Sequence, residues 1–174
     1  PEPGHLQQHY INAFLRSGDC DRSAYIFALD ADEFINCSLF DYRAFIASAP
    51  RSFLMRWKTY VPTESDASQE PNVLIRISHR RRREPGKGSV CKAVLSPLDD
   101  GPVLYRGGNH QLNGVKATET PTIRLAHFPV RSPAQLACKV LLGSWNITLR
   151  GRAGTEALQW FEIADKIRQG GMPS

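Results

Sequence analysis

Residues 24–34 read Ala-Tyr-Ile-Phe-Ala-Leu-Asp-Ala-Asp-Glu-Phe. The first six of them, 24–29, form a continuous apolar run. The run is short for a buried helix, and its Tyr, Ile and Phe favour a strand. A run without polar alternation predicts a strand covered on both faces, as in a parallel sheet. Asp30, Asp32 and Glu33 follow at once. Alternate side chains of extended chain share a face, so Asp30 and Asp32 are expected to project together. Ligand sites in open α/β sheets lie beyond the carboxyl ends of strands, where these acids stand. Neighbouring carboxylates repel and are costly to desolvate without a counter-charge. A hard divalent cation removes that cost, because Mg²⁺ and Mn²⁺ accept one or two carboxylates together with substrate phosphates. The plainer reading of the same acids is a solvated turn at a strand end.

Working outward, Leu6, Tyr10, Ile11, Phe14 and Leu15 recur near helical spacing and predict a helix over 5–17, stopped by Gly18. A short helix is expected over 39–47, closed by Pro50. Residues 52–61 are strand-like, with Phe53, Met55, Trp57 and Thr59 on one face, and 63–72 form a polar loop. Residues 73–78 fit helix or strand. Further strands are expected over 90–95, 103–106 and 122–126, set apart by Pro and Gly. Ser132, Pro133 and Gln135 make a capping box that starts a helix, which Gly143 is placed to end. A last helix over 155–168 carries Leu158, Phe161, Ile163, Ala164 and Ile167 on its apolar side, and Gly170-Gly171 ends it. A single mixed α/β domain over 1–174 follows.

Composition agrees with a globular chain. Among 174 residues 41% are hydrophobic, and 22 Lys and Arg against 17 Asp and Glu give +5. That balance excludes a disordered chain. No run approaches the roughly 20 apolar residues of a membrane helix, so no transmembrane segment is expected. No basic start followed by an apolar run marks a signal peptide. The opening Pro1-Glu2-Pro3 lacks Met, so the chain is expected to be an excerpt or to have lost its start. Cys20, Cys37, Cys91 and Cys138 lack zinc-site spacing and are read as reduced and structural. The sequons at Asn36 and Asn146 are weak signals, since such triplets arise by chance. Positive charge gathers in His79-Arg80-Arg81-Arg82-Arg83 and Lys87, a candidate anion-binding patch or a solvated loop. No aromatic residues interleave with the arginines, which weighs against a nucleic-acid groove. Gly86-Lys87-Gly88-Ser89 lacks the spacing of a phosphate loop.

A second constellation lies downstream. Strand 122–126 runs into His127, and Arg131 stands just outside the helix start, with Gln135 and Lys139 one turn apart. A helix N-terminus favours anions. Dipole, guanidinium, ammonium and imidazole together suit a diphosphate. Taken singly, these residues are better explained by a capped surface helix, a Lys stem on apolar surface and a structural His; only their combined spacing favours the anion site.

In these two places the chain resembles a family-2-type glycosyltransferase with the GT-A fold. The stretch Tyr25-Ile-Phe-Ala-Leu-Asp-Ala-Asp-Glu-Phe34 is similar to that group's hydrophobic strand followed by Asp-x-Asp-Glu-Phe. Leu125-Ala-His-Phe-Pro-Val-Arg-Ser-Pro-Ala-Gln-Leu-Ala-Cys-Lys139 is similar to its His-aromatic-Pro-x-Arg-Ser segment. Between them, residues 92–97 and Asn109-His110 fall where the group has a Lys-containing strand and a further His. The resemblance implies a Rossmann-like mixed sheet flanked by helices, the C-terminal part of a GT-A-like catalytic domain. It implies a nucleotide-diphosphate sugar donor, a glycan or other hydroxyl acceptor, and Mn²⁺ or Mg²⁺. Asp30, Asp32 and His127 would be the metal set, and Asp30, His110, Arg131 and Lys139 the substrate contacts. An inverting reaction needs a carboxylate base, and Glu33, Asp99, Asp100 and Glu119 are candidates. Only one helix precedes the Asp-x-Asp strand, so the half that holds the nucleotide base is expected to be missing at the N-terminus. Residues 1–174 alone are then expected to transfer poorly. The expected location is the cytoplasm, with room for peripheral attachment to a membrane. No nucleic-acid partner is expected. The competing classes are a basic module gripping anions or nucleic acid, and a transferase remnant without catalysis.

Overall fold

The computed structural model describes residues 6–21, 23–48, 50–66, 69–82, 91–151 and 158–170, with the side chains of 158 and 159 left aside. The chain groups into two compact units. One is drawn from residues 5–60 and 80–129, the other from 61–79 and 130–174.

The first unit is built on five strands in the order β1-β4-β3-β7-β2. These are β1 (Ile26–Phe27), β2 (Glu33–Asn36), β3 (Phe53–Thr59), β4 (Cys91–Leu95) and β7 (Thr118–His127). Only β3 and β7 run parallel; the β1–β4, β3–β4 and β2–β7 pairs are antiparallel. A hairpin of β5 (Leu104–Arg106) and β6 (Gln111–Asn113) stands apart as a second sheet. The architecture is therefore a mixed sheet flanked by helices. Side chains alternate across it as a pleated strand requires. Phe53, Met55, Val94, Ile123 and Leu125 pack on one face, where Tyr42 and Phe45 of α2 (Leu39–Ala47) cover them. Ala93, Leu95, Val103 and Tyr105 pack on the other, against Ile11 and Leu15 of α1 (Gln7–Arg16). Asn12 clasps α1 to β5: its amide donates to Tyr105 O at 2.9 Å and accepts from Tyr105 N at 2.8 Å.

Two expectations change here. The run 24–29 is not a doubly covered parallel strand. Only two residues pair, half-buried, at the sheet edge and antiparallel to β4. Nor do Asp30 and Asp32 alternate along extended chain. The chain turns, with Glu33 N donating to Asp30 O at 3.0 Å, and β2 begins at once. The turn sends the two acids to different neighbours. Strand 122–126 extends in both directions to become β7, whose register against β3 shifts between Met55 and Trp57. Pro121 lies in the shifted stretch and has no N–H to offer the ladder.

In the second unit, α3 (Val73–Arg76) resolves the ambiguous segment as helix, capped by Asn72, whose side chain accepts from Leu74 N. Ser132 caps α4 (Pro133–Leu149) as expected, accepting from Gln135 N at 3.1 Å. The helix does not stop at Gly143. A Cβ there would lie 2.8 Å from Trp160 Cε3 of α5 (Leu158–Arg168), so the glycine serves close helix packing. Residues 155–157 of the expected last helix lie outside the described residues, as do Arg83 and the Gly86-Lys87-Gly88-Ser89 stretch. All four cysteines are free thiols. No helix among the described residues is long and apolar enough to cross a membrane.

Candidate functional site

Sheet register brings the first group of site residues together. Glu33 and His127 are partners across β2 and β7, and Phe128 N donates to Asp32 O at 2.9 Å. The turn acid is thereby set beside the strand-end imidazole, with Asp32 Oδ2 3.8 Å from His127 Nε2. Trp57, on the neighbouring β3, stacks obliquely on His127 with ring centroids 4.8 Å apart. It also meets His110 edge-on at 5.4 Å.

Asp30 faces another way. Its Oδ2 accepts from the Lys92 ammonium at 2.7 Å, and its Oδ1 accepts from the Gln7 amide. Lys92 is 1% exposed and also bonds Asn109 Oδ1. Glu33 Oε1 lies 3.4 Å from the same ammonium, an ion pair without hydrogen-bond geometry. Its Oε2 accepts from Asp30 N at 2.9 Å. Burial pushes the Asp30 carboxyl up, but the Lys92 hydrogen bond and charge, aided by Gln7, hold it below the usual carboxylate range. For Glu33 burial prevails over the Asp30 N–H and Lys92, and its carboxyl is raised.

Asp30 and His110 line a cleft of about 250 Å³ with Gln7, Gln8, Gly107 and Gly108. The two glycines have φ of 57° and 78°, the left-handed region that admits glycine without strain. They turn the β5–β6 hairpin so that Asn109 and His110 come to the β1 tip. Asn109 Nδ2 bonds Ala28 O at 2.6 Å, and His110 Nδ1 meets Cys91 O at 2.7 Å.

The proposed bases part company. The Glu33 side chain is wholly buried. Asp99 and Asp100 follow Leu95, at the end of β4 away from Cys91, about 13 Å along the strand. Asp99 is held there by Ser52 N at 2.8 Å. Glu119 is paired bidentately with Arg56 at 2.7 and 2.6 Å. It sits across from Leu54, about 17 Å along β3 from the Thr59–His127 pair. Of the four, only Glu33 is at the tip, and it is sealed.

Arg131 and Lys139 belong to the second unit. There Arg131 N donates to Gln135 Oε1 at 3.0 Å, and Arg131 O accepts from Arg76 at 2.7 Å. Lys139 is half-buried on α4. Arg80, Arg81 and Arg82 are exposed in the first unit. Arg81 N bonds Thr59 O at 2.9 Å, and Tyr60 N bonds His127 O at 2.8 Å, so the arginine stretch starts next to the His127 end of the sheet.

Asp32 and His127 are close enough to share one hard cation (about 2.1 Å per bond). Asp30 does not fit that set, because its oxygens serve Lys92 and Gln7. Among the described residues no group of three or more His, Cys, Asp or Glu side chains could hold a metal. Sequence reasoning passed over Trp57, Gln7 and Asn109 as site residues. Lys92, like Asn109, was noted only through the resemblance and was given no role. Comparison with protein-family models, curated proteins and solved structures finds no match.

Proposed function

We propose that the chain is a metal-dependent glycosyltransferase of the GT-A type, moving a sugar from a nucleotide-diphosphate donor to a hydroxyl acceptor. The observation that carries the reading is the meeting of Asp32 and His127 at 3.8 Å, two residues drawn from the separate motifs of the resemblance. A cleft is lined by Asp30, two residues before Asp32, and by His110. In this reading Asp32 and His127 would hold Mn²⁺ or Mg²⁺ with the donor's phosphates, and the ion would supply positive charge against a departing diphosphate. Asp30 Oδ1, charged and fixed in place, accepts hydrogen bonds from hydroxyls in the cleft that His110 also lines. Arg80, Arg81 and Arg82 add positive charge beside His127 that draws an anionic donor. The proposal stands without Arg131 and Lys139, and it assigns no base.

The test is release of nucleoside diphosphate from a panel of nucleotide sugars by the full-length gene product, with and without Mn²⁺. Metal-stimulated release that Asp32→Ala abolishes is the expected result. Release that survives Asp32→Ala, or no binding of any donor, overturns the reading.

A further inference from the structure

The Lys92 ammonium lies where three side-chain oxygens meet. Asp30 Oδ2 is at 2.7 Å, Glu33 Oε1 at 3.4 Å, and Asn109 Oδ1 is hydrogen-bonded to it. The Asn109 amide is held in that orientation because its Nδ2 donates to Ala28 O. Carboxylate and amide oxygens around a point are the surroundings that hard divalent cations take. Here the occupant is covalently tethered. Lys92 projects from β4 with Met55 as its register partner, and its Nζ lies 5.9 Å from the centroid of the Trp57 ring. At 1% exposure the ammonium is shielded from solvent. Leaving this arrangement would abandon two carboxylates, one of them wholly buried.

We propose that Lys92 is a resident cation: its ammonium permanently fills the oxygen site at the acidic tip, so Asp30 serves as a hydrogen-bond acceptor toward the cleft and not as a metal ligand. The first acid of the Asp-x-Asp pair is thus already neutralised by the fold. Only the second, Asp32, is left to a metal. A purely structural salt bridge would also be buried and ordered. What distinguishes a cation site is that a divalent ion replaces the ammonium once it is removed. This assignment goes beyond the transferase reading and does not require it.

The experiment measures Mn²⁺ binding to the full-length protein by the loss of the free-ion electron paramagnetic resonance signal, with thermal melting alongside. Lys92→Ala is expected to bind Mn²⁺ at least tenfold more tightly than the unmodified protein and to melt higher when Mn²⁺ is present. Adding Asp30→Asn to that variant is expected to remove the gain. Asp30→Asn alone is expected to leave Mn²⁺ affinity within twofold. A folded Lys92→Ala protein with no gain overturns the proposal, and so does a tenfold loss on Asp30→Asn alone. Should Lys92→Ala not fold, Lys92→Gln keeps the stem beside Trp57 and carries the same test. Asp32→Asn reports on the transferase reading separately. If the unmodified protein binds no Mn²⁺, the metal leaves that reading, and the Lys92 variants still decide this one.

Discussion

His127 Nε2 stands 3.8 Å from Asp32 Oδ2 because the β2–β7 ladder makes Glu33 and His127 partners. Side chains from distant parts of the chain are held in place by backbone pairing. The bond from Phe128 N uses the backbone carbonyl of Asp32 and survives loss of its side chain. Asp32→Ala is therefore expected to keep a cooperative melt while losing at least about a hundredfold of any metal-stimulated turnover, the scale of losing one transition-state electrostatic contact. Circular dichroism and donor hydrolysis measured on one preparation check both halves.

Replacing Arg80, Arg81 and Arg82 together by Gln separates two readings. If their charge draws a donor to the His127 end, donor affinity falls at low salt, and the difference from the parent protein shrinks at high salt as screening removes the attraction. If the chain is instead a module that grips nucleic acid, its affinity falls steeply with salt and is indifferent to Asp32→Ala. Titrating donor and a random oligonucleotide at two ionic strengths, with both variants, distinguishes them.

Gly143→Ala would normally favour a helix by about 1 kcal/mol. Here the added methyl meets Trp160 Cε3 at 2.8 Å, and a packed indole cannot swing aside freely. Overpacking of this kind costs about 1–3 kcal/mol, so the variant is expected to be less stable. In a Trp160→Leu background the same substitution is expected to be neutral or mildly stabilising. A double-mutant cycle in urea checks the coupling.

Asp99 gives a pH dependence with a definite sign. Burial pushes its carboxyl up, but hydrogen bonds from Ser52 and the Arg51 charge prevail and hold it below the usual range. A carboxyl lowered on folding contributes stability above its unfolded value of about 3.9 and loses it as pH falls through the folded one. Asp99→Ala is expected to cost about 1.5–3 kcal/mol at neutral pH, the range for hydrogen bonds to a charged group. That gap should narrow as pH falls from the unfolded value through the lower folded one. Melting curves of both proteins from neutral pH down into acid check it.

Local signals were legible where local chemistry decides. Ser38 accepts from Asp41 N and opens α2 over the predicted 39–47, and Ser132 caps α4 at the predicted residue. Signals that depend on a distant partner were not. Gly143 is as good a stop as it is a packing glycine, and only Trp160 decides between the two. The short β2 was hidden because its pairing is with β7, far along the chain. Asp30 and Asp32 read as equivalent in sequence, yet the turn gives one to Lys92 and the other to His127. Asp99, Asp100 and Glu119 stood level with Glu33 as candidates, because the antiparallel β1–β4 pairing and the β3–β7 register that set them far from the tip join distant stretches of chain.

β2 is an outermost strand of four residues, and Asp32 immediately precedes it. Outermost strands fray before a sheet's centre gives way. Detachment of β2 would part Asp32 from His127 while β3, β4 and β7 stayed paired. Warming should thus cost the proposed metal-stimulated donor hydrolysis before circular dichroism reports loss of the sheet, and cooling should restore it.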